Sequence, residues 1–331
     1  RALARLAHQN LTAQGEILKG GGIAMLLALL SGISVDAQTQ AAAALAELAQ
    51  GVGGKHKKKT QDAIAKAGGI GPLLQLVESR YSACAAEAIN AVAQVAKGNR
   101  ANQDAIASMD GIRPLVDLLQ KQEGKVEGAA VAAAAAQTNG ANGGYGGPPL
   151  REWLVRVQAN AANAIASICR ANEPNQTAVA DLGGLPRLGM LLKPSGAMYG
   201  SSWTGPAAVV EAEAAGALWA LSEGHDPNKV SIAGAGAIPT LSTLLSSPNE
   251  RAQKHAASAL ASLALGKPDN QAEVASLLVA MLSSATDATQ LRCTKALWRI
   301  VKENPETQPV IAKAGGAETL VLLLDSRARR P

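Results

Sequence analysis

Two stretches of the chain, TQDAIAKAGGIGPLLQL from Thr60 and NQDAIASMDGIRPLVDL from Asn102, share one pattern. Each has a polar start, a short apolar run, a Gly-containing break and a second apolar run with proline near its start. The core of the pattern is Gln, then Ile or Val three residues on, then an apolar residue six further, beside the glycine. It occurs at Gln14-Ile17-Ile23, Gln61-Ile64-Ile70, Gln103-Ile106-Ile112, Gln176-Val179-Leu185 and Gln308-Ile311-Ala317, and with Lys for Gln at Lys229-Ile232-Ile238. Gln271-Val274 opens a further copy that lacks the Gly turn. Successive starts lie 47, 42, 73, 53, 42 and 37 residues apart, so the period is near 42, with two insertions and one shortening. Self-similarity at such a period is the mark of a stacked repeat architecture.

Each copy reads as three helical pieces. The first is short and ends at Gly, which tolerates the left-handed conformation at a helix C-terminus. The second often has proline in its first turn (Pro72, Pro114, Pro186, Pro239), where the missing amide hydrogen costs nothing. The third is longer and rich in Ala, as in SACAAEAINAVAQVAKG and EAEAAGALWALSEG, with apolar residues at helical spacing. One such unit cannot bury its own apolar face, whereas stacked units can, and the expected result is a superhelical solenoid.

Composition agrees. Of 331 residues 47% are apolar, but aromatics are 2% and Phe is absent, so the core must be built from Ala, Leu, Ile and Val in closely approaching helices. A net charge of +5 with pI near 9.1 is only mildly basic. The aromatics that single-strand binders stack bases on are nearly missing, which disfavours nucleic acid. Cys84, Cys169 and Cys293 lie far apart in Ala-rich helical patterns and read as small buried hydrophobes of a reducing compartment. The localisation expected is intracellular: cytoplasmic, nuclear or cytoskeleton-associated. The longest apolar run, GGIAMLLALLSGISV, falls short of the roughly 20 residues a membrane span needs, so membrane contact would be peripheral. Sequons at Asn10 and Asn175 read as chance matches.

In these NQDAIAKAGGIGPLLQL-type starts and GALWALSEG-type ends the chain resembles the armadillo repeat family over nearly its whole length. The fold expected is an all-α, right-handed α-solenoid of about seven three-helix repeats. Their bounds are 11–54, 55–98, 99–171 with a loop insertion at 121–149, 172–224 with an insertion at 193–207, 225–266, 267–304 and a partial 305–331. Residues 1–10 read as the end of a preceding repeat, so the array is expected to extend further. The HEAT repeat, the nearest alternative, lacks this three-helix Gly-break pattern.

No chemistry stands out. His8, His56, His225 and His255 have no metal-ligand spacing with Cys or carboxylates. GGIG and GGYGG lack the Lys-Ser/Thr of a phosphate cradle. The expectation is a non-enzymatic chain with no cofactor, metal or small-molecule substrate. The resemblance implies instead that third helices line a concave groove holding an extended peptide or partner helix. In the peptide-importing members an Asn near the end of each third helix grips the partner's backbone, and a Trp one turn earlier packs its side chains. Here the Asn position holds Glu47, Gln94, Ser167, Glu223, Ser262 and Arg299, and the Trp position holds Ala43, Asn90, Asn163, Trp219, Ser258 and Lys295. One turn earlier stand Gln40, Glu87, Asn160, Gly216, His255 and Arg292. Positions i, i+3 and i+7 share one helix face. Only Trp219 keeps the family's pattern, which disfavours a nuclear transport adaptor.

Charge along this face is uneven. Glu47 and Glu87 stand early, whereas His255, Arg292, Lys295 and Arg299 stand late, with Arg251 and Lys254 nearby. A protein or peptide with an acidic segment at the C-terminal repeats is the partner expected. The alternative context is the substrate-recruiting region of a larger ubiquitin ligase. Lys55, Lys57, Lys58 and Lys59 read as a solvated loop between repeats. The 193–207 insertion carries Tyr199 and Trp203, rare residues in this chain.

Overall fold

The structure is a computed structural model that describes residues 10–51, 54–120, 150–192, 206–284 and 287–328. The insertion over 121–149 lies outside the described residues, as do residues 1–9 and the 193–207 insertion apart from its last two residues, which begin a helix. Helices account for every regular element among the described residues. The first copy is α1 (Leu11–Lys19), α2 (Gly22–Leu30) and α3 (Val35–Gln50). The second is α4 (Gly54–Lys66), α5 (Ile70–Val77) and α6 (Ser82–Ala96), and the third α7 (Arg100–Ser108), α8 (Ile112–Asp117) and α9 (Leu150–Cys169). The fourth is α10 (Glu173–Asp181), α11 (Gly184–Leu191) and α12 (Pro206–Ser222), and the fifth α13 (Asp226–Gly234), α14 (Ala237–Leu244) and α15 (Glu250–Ala264). The sixth has two helices, α16 (Pro268–Ser284) and α17 (Asp287–Glu303). A 3-10 turn (Pro305–Thr307), α18 (Gln308–Lys313) and α19 (Gly316–Ala328) follow.

The Gly-Gly break has two separate physical causes. Gly68 has φ +78°, a left-handed turn that side chains resist. Gly69 has an ordinary φ, but a Cβ there would stand 2.8 Å from Ile64 Cγ2 and 2.9 Å from both the Ile64 carbonyl and Leu27 Cδ2 of the preceding copy. The first glycine turns the chain, and the second lets the two helices meet. In the third copy Asp110 takes the left-handed position (φ 54°), and Gly111 makes the same close approach to Ile106 and Leu74. The fifth copy has Gly236 followed by Ala237, so one methyl can be accommodated there. No Gly interrupts Gln271 to Ser284, and α16 accordingly runs through where a corner would fall.

Two compact units divide the chain, Arg1–Gly184 and Leu185–Pro331, where the sequence reads as one array. Within the first, α3, α6 and α9 pack in succession as an Ala-rich layer. Within the second, α12, α15 and α17 do the same. The pattern residues Ile64, Ile106, Val179 and Ile232 are buried beneath these layers, as are Ile70, Ile112 and Ile238. Ala85, Ala86, Ala88, Ala91, Ala93 and Ala96 of α6 are all buried, and such small side chains let helices approach on more than one side.

The recurrent Gln is a hook within each repeat. Gln61 Nε2 donates to the carbonyls of Gln94 (2.6 Å) and Lys97 (3.1 Å), and Gln103 Nε2 to those of Ser167 (2.8 Å) and Arg170 (3.3 Å). A first helix thereby satisfies carbonyls that its own third helix leaves unpaired at its C-terminus. Lys229 does this with an ammonium, donating to the Leu265 carbonyl (3.0 Å) and pairing with Asp226 (2.9 Å). A second hook precedes it and joins neighbouring copies. Asn102 Nδ2 donates to the Val95 and Gln61 carbonyls (3.0 and 3.3 Å), and Asn175 Nδ2 to those of Ile168 and Gln103 (3.1 and 3.4 Å). Asn175 is buried in this role, so its sequon is closed to modification. Three residues before each such Asn stands an N-cap: Asn99 for α7, Asn172 for α10 and the imidazole Nδ1 of His225 for α13.

The lysine stretch departs from its sequence reading. Residues 55–59 belong to α4, whose first turns cross the end of α3, with Lys57 Cα packed on Gly51. No Gly or Pro lies between Lys55 and Lys66, and lysine is a good helix former, so the helix extends toward its N-terminus despite the charge. Burial, and then the nearby Lys97, hold the Lys57 ammonium below its ordinary pKa.

Candidate functional site

Most third helices are enclosed on most sides along their central turns, with one stripe accessible, whereas α17 is more open, with Leu291, Trp298 and Lys302 also exposed. Between Ala41 and Ala49 of α3, only Ala43 and Glu47 are not buried, with Gln40 just before them. Between Cys84 and Ala96 of α6, only Glu87, Asn90 and Gln94 escape burial, and between Val155 and Cys169 of α9, only Arg156, Asn160 and Asn163 do. Ser167 is buried. Between Val210 and Ser222 of α12 the accessible residue is Trp219, followed by exposed Glu223. In α15, His255 and Ser262 are half-buried and Ser258 is buried, its hydroxyl donating to the Lys254 carbonyl (2.7 Å). In α17, Lys295 is exposed and Arg292 and Arg299 are half-buried.

In the first unit these residues form polar contacts across copies. Arg156 of α9 pairs with Glu87 of α6 (2.8 Å), and Asn160 Nδ2 donates to the Ala86 carbonyl (2.8 Å). Gln94 Nε2 donates to Asn90 Oδ1 (3.3 Å). Arg156 escapes sequence reasoning, although it stands four residues before Asn160 and so on the same face. It offsets Glu87, and this face is less acidic than the sequence implies.

The second unit gathers an aromatic and cationic group. His255 Nδ1 lies 2.8 Å from the Ala212 carbonyl, which assigns the proton to Nδ1. The imidazole sits over Gly216, where a Cβ would stand 2.7 Å from Nδ1. The Trp219 ring lies 6.2 Å from the His255 ring, and the Arg299 guanidinium sits 5.9 Å from the Trp219 ring centroid. Ser222 and Ser262 hydroxyls are 2.9 Å apart. Replacing Gly216 by Ala is expected to cost about 1–2 kcal/mol, because the imidazole must leave its seat. A denaturant titration reads this, and unchanged stability would mean the ring does not need that space.

A cleft of about 410 Å³ opens between α15 and α17, lined by Lys254, Arg292, Lys295 and Arg299, with Leu245, Leu291, Ala257 and Ala296 among its apolar residues. Arg251, which the sequence groups with these cations, is instead engaged with the buried carboxylate of Glu213 (2.9 Å). Burial raises the thiols of Cys84, Cys169 and Cys293, the last to about 11, so all three are protonated at neutral pH. Among the described residues no group of three or more His, Cys, Asp or Glu side chains converges, and no single helix is long and apolar enough to cross a membrane.

The armadillo/beta-catenin-like repeat profile matches residues 225–265, the fifth copy. An engineered protein of known crystal structure is 27% identical and superposes with a TM-score of 0.62, covering 86% of this chain and 98% of its own. A designed armadillo repeat protein solved with the peptide (KR)4 is 20% identical, with a TM-score of 0.59 over 83% of this chain and 98% of its own. One armadillo repeat is thus matched in sequence, and the chain shares the all-α solenoid fold of these structures. A structure from work on the interaction between cadherin and beta-catenin shares the fold at 14% identity and a TM-score of 0.57, over 99% of this chain and 57% of that one. No curated protein sequence matches the chain.

Proposed function

We propose that this armadillo-repeat chain is a non-enzymatic protein-interaction scaffold. It holds an extended peptide or partner helix on the accessible faces of its third helices, and an acidic stretch of that partner docks on the second unit. One observation carries the reading. In α3, α6 and α9, enclosed by their neighbours along the second half of each helix, one mostly polar stripe is left in water, and in the less enclosed α17 the corresponding positions are cationic. The designed relative that binds (KR)4 supports the peptide mode, and the cadherin–beta-catenin work supports a natural partner of protein class. Complementary charge gives such docking its register and its rate.

The test is charge reversal. A fluorescent polyglutamate peptide binds the 331-residue chain, and the Arg292→Glu/Lys295→Glu/Arg299→Glu variant binds it at least tenfold more weakly. Binding to the wild type weakens steeply as salt rises. Equal affinity for wild type and variant removes the second unit from the reading.

A further inference from the structure

We propose that the lysine-rich start of α4 is an adsorption surface for anionic lipid bilayers. The observation behind it is a departure from the repeat. In α1, α7, α10, α13 and α16 the pattern residue (Gln14, Gln103, Gln176, Lys229 and Gln271) is the fourth of its helix, whereas Gln61 is the eighth of α4. The second copy therefore carries one extra helical turn, residues 54–57. Where Asn10, Asn99, Asn172 and His225 cap the first helices of four copies, this copy has Lys57, and the helix runs on. The first turn of α4 holds no acidic residue. Lys55, Lys57, Lys58 and Lys59 stand toward the positive end of the helix dipole, with Lys55 three and four residues from Lys58 and Lys59, which is unfavourable on both counts. Local rules are broken in this way where a surface serves something beyond the fold.

The charge is not answered within the fold. By sequence α4 carries a formal charge of +4, five lysines against Asp62, and no other first helix exceeds +1. Asp62 is engaged elsewhere, accepting from Nδ2 of Asn99, the N-cap of α7 (2.7 Å). Lys58, Lys59 and Lys66 are exposed, as is Lys97 at the end of α6, whose charge reaches Lys57. Among the described residues none of these five lysines pairs with a carboxylate. The kind of polyanion follows from the donors. All are ammonium groups on flexible stems, and α4 holds no Arg, Phe, Tyr or Trp. Guanidinium forks suit a carboxylate or phosphate at a fixed site, and rings suit bases. Lysines standing on a helix surface suit a broad layer of headgroup charge, which asks for no fixed geometry. From Lys58 to Lys66 they span about 12 Å along the helix axis, so they meet a layer rather than a single anion. Contact is by adsorption, since no single helix among the described residues is long and apolar enough to cross a bilayer. The surface belongs to a first helix and stands apart from the third-helix faces of the reading above.

The experiment mixes the full chain with vesicles of phosphatidylserine and phosphatidylcholine in equal parts, or of phosphatidylcholine alone, and reads the bound fraction by co-sedimentation. The wild type is expected to sediment with the anionic vesicles and not with the neutral ones, and to be released as salt rises. The Lys58→Gln/Lys59→Gln/Lys66→Gln variant should bind roughly a hundredfold more weakly, at about fivefold per lysine. Glutamine is a helix former comparable to lysine, so α4 stays folded, which circular dichroism verifies. Arg292→Gln/Lys295→Gln/Arg299→Gln, which removes the same charge from α17, should bind the vesicles like the wild type. Equal losses in the two variants reduce the effect to net charge and overturn the inference, as does a wild type that ignores the anionic vesicles. Undiminished binding by the folded α4 variant excludes this surface. A wild type that binds duplex DNA or polyglutamate through α4 in preference to the anionic vesicles overturns the lipid assignment in favour of that polyanion.

Discussion

Replacing Gln103 by leucine is expected to destabilise the first unit by about 2–4 kcal/mol, while Gln103→Lys costs well under half of that. Gln103 is 2% exposed, and its amide serves both neighbours at once. Its Nε2 holds the Ser167 and Arg170 carbonyls at the end of α9, and its Oε1 accepts from Asn172 Nδ2 (3.1 Å), the N-cap of α10. Leucine removes all three bonds and leaves two helix-terminal carbonyls facing an apolar side chain. Leaving one buried polar group without a partner costs about 1–3 kcal/mol. Lysine is the informative control, because the fifth copy already uses it: Lys229 reaches the Leu265 carbonyl from the equivalent position. A positive charge at a helix C-terminus is also favourable. Urea denaturation of the two variants checks the ranking. If leucine and lysine cost the same, the hook is not what holds α7 to α9.

How much of this was legible follows from what each signal needs. The corner at Gly68-Gly69 is a local event, so the sequence locates it without any knowledge of packing. The Gln was equally visible as a marker, but its purpose requires knowing that α7 runs past the end of α9, beyond a 29-residue insertion at 121–149. The capping series Asn99, Asn172, His225 was present as a spacing of three residues before the Asn of each start and went unread, because His is not a usual cap residue. The accessible stripe follows from helical periodicity, and the predicted positions lie along it apart from Ser167 and Ser258, which are buried, and Gly216, which is covered by an imidazole. Charge was less legible than position. Arg156 and Arg251 meet carboxylates on the neighbouring third helix, and such pairing depends on inter-helix register that no single-helix pattern encodes.

Glu211 is the residue for which this gap is widest, and Glu211→Gln is expected to abolish a stability loss of about 3 kcal/mol between pH 4.5 and pH 7. Glu211 and Glu213 stand two apart in VVEAEAAG and are both buried in α12. Glu213 is answered by Arg251, whereas Glu211 Oε2 is enclosed without a hydrogen-bond partner. Burial therefore pushes the Glu211 carboxyl up to about 7 from an ordinary 4.5. The sign follows directly. Between these values the folded chain binds a proton that the unfolded chain releases, so stability falls as pH rises through the window and is flat above it. Gln cannot ionise and fills nearly the same volume, so the variant should match wild type near pH 4.5 and exceed it at pH 8. Denaturant titrations of both proteins at pH 4.5, 6 and 8 give the difference free of every other titrating group. Parallel pH profiles would mean that Glu211 is solvated in the folded chain, and the enclosed carboxylate would have to be withdrawn.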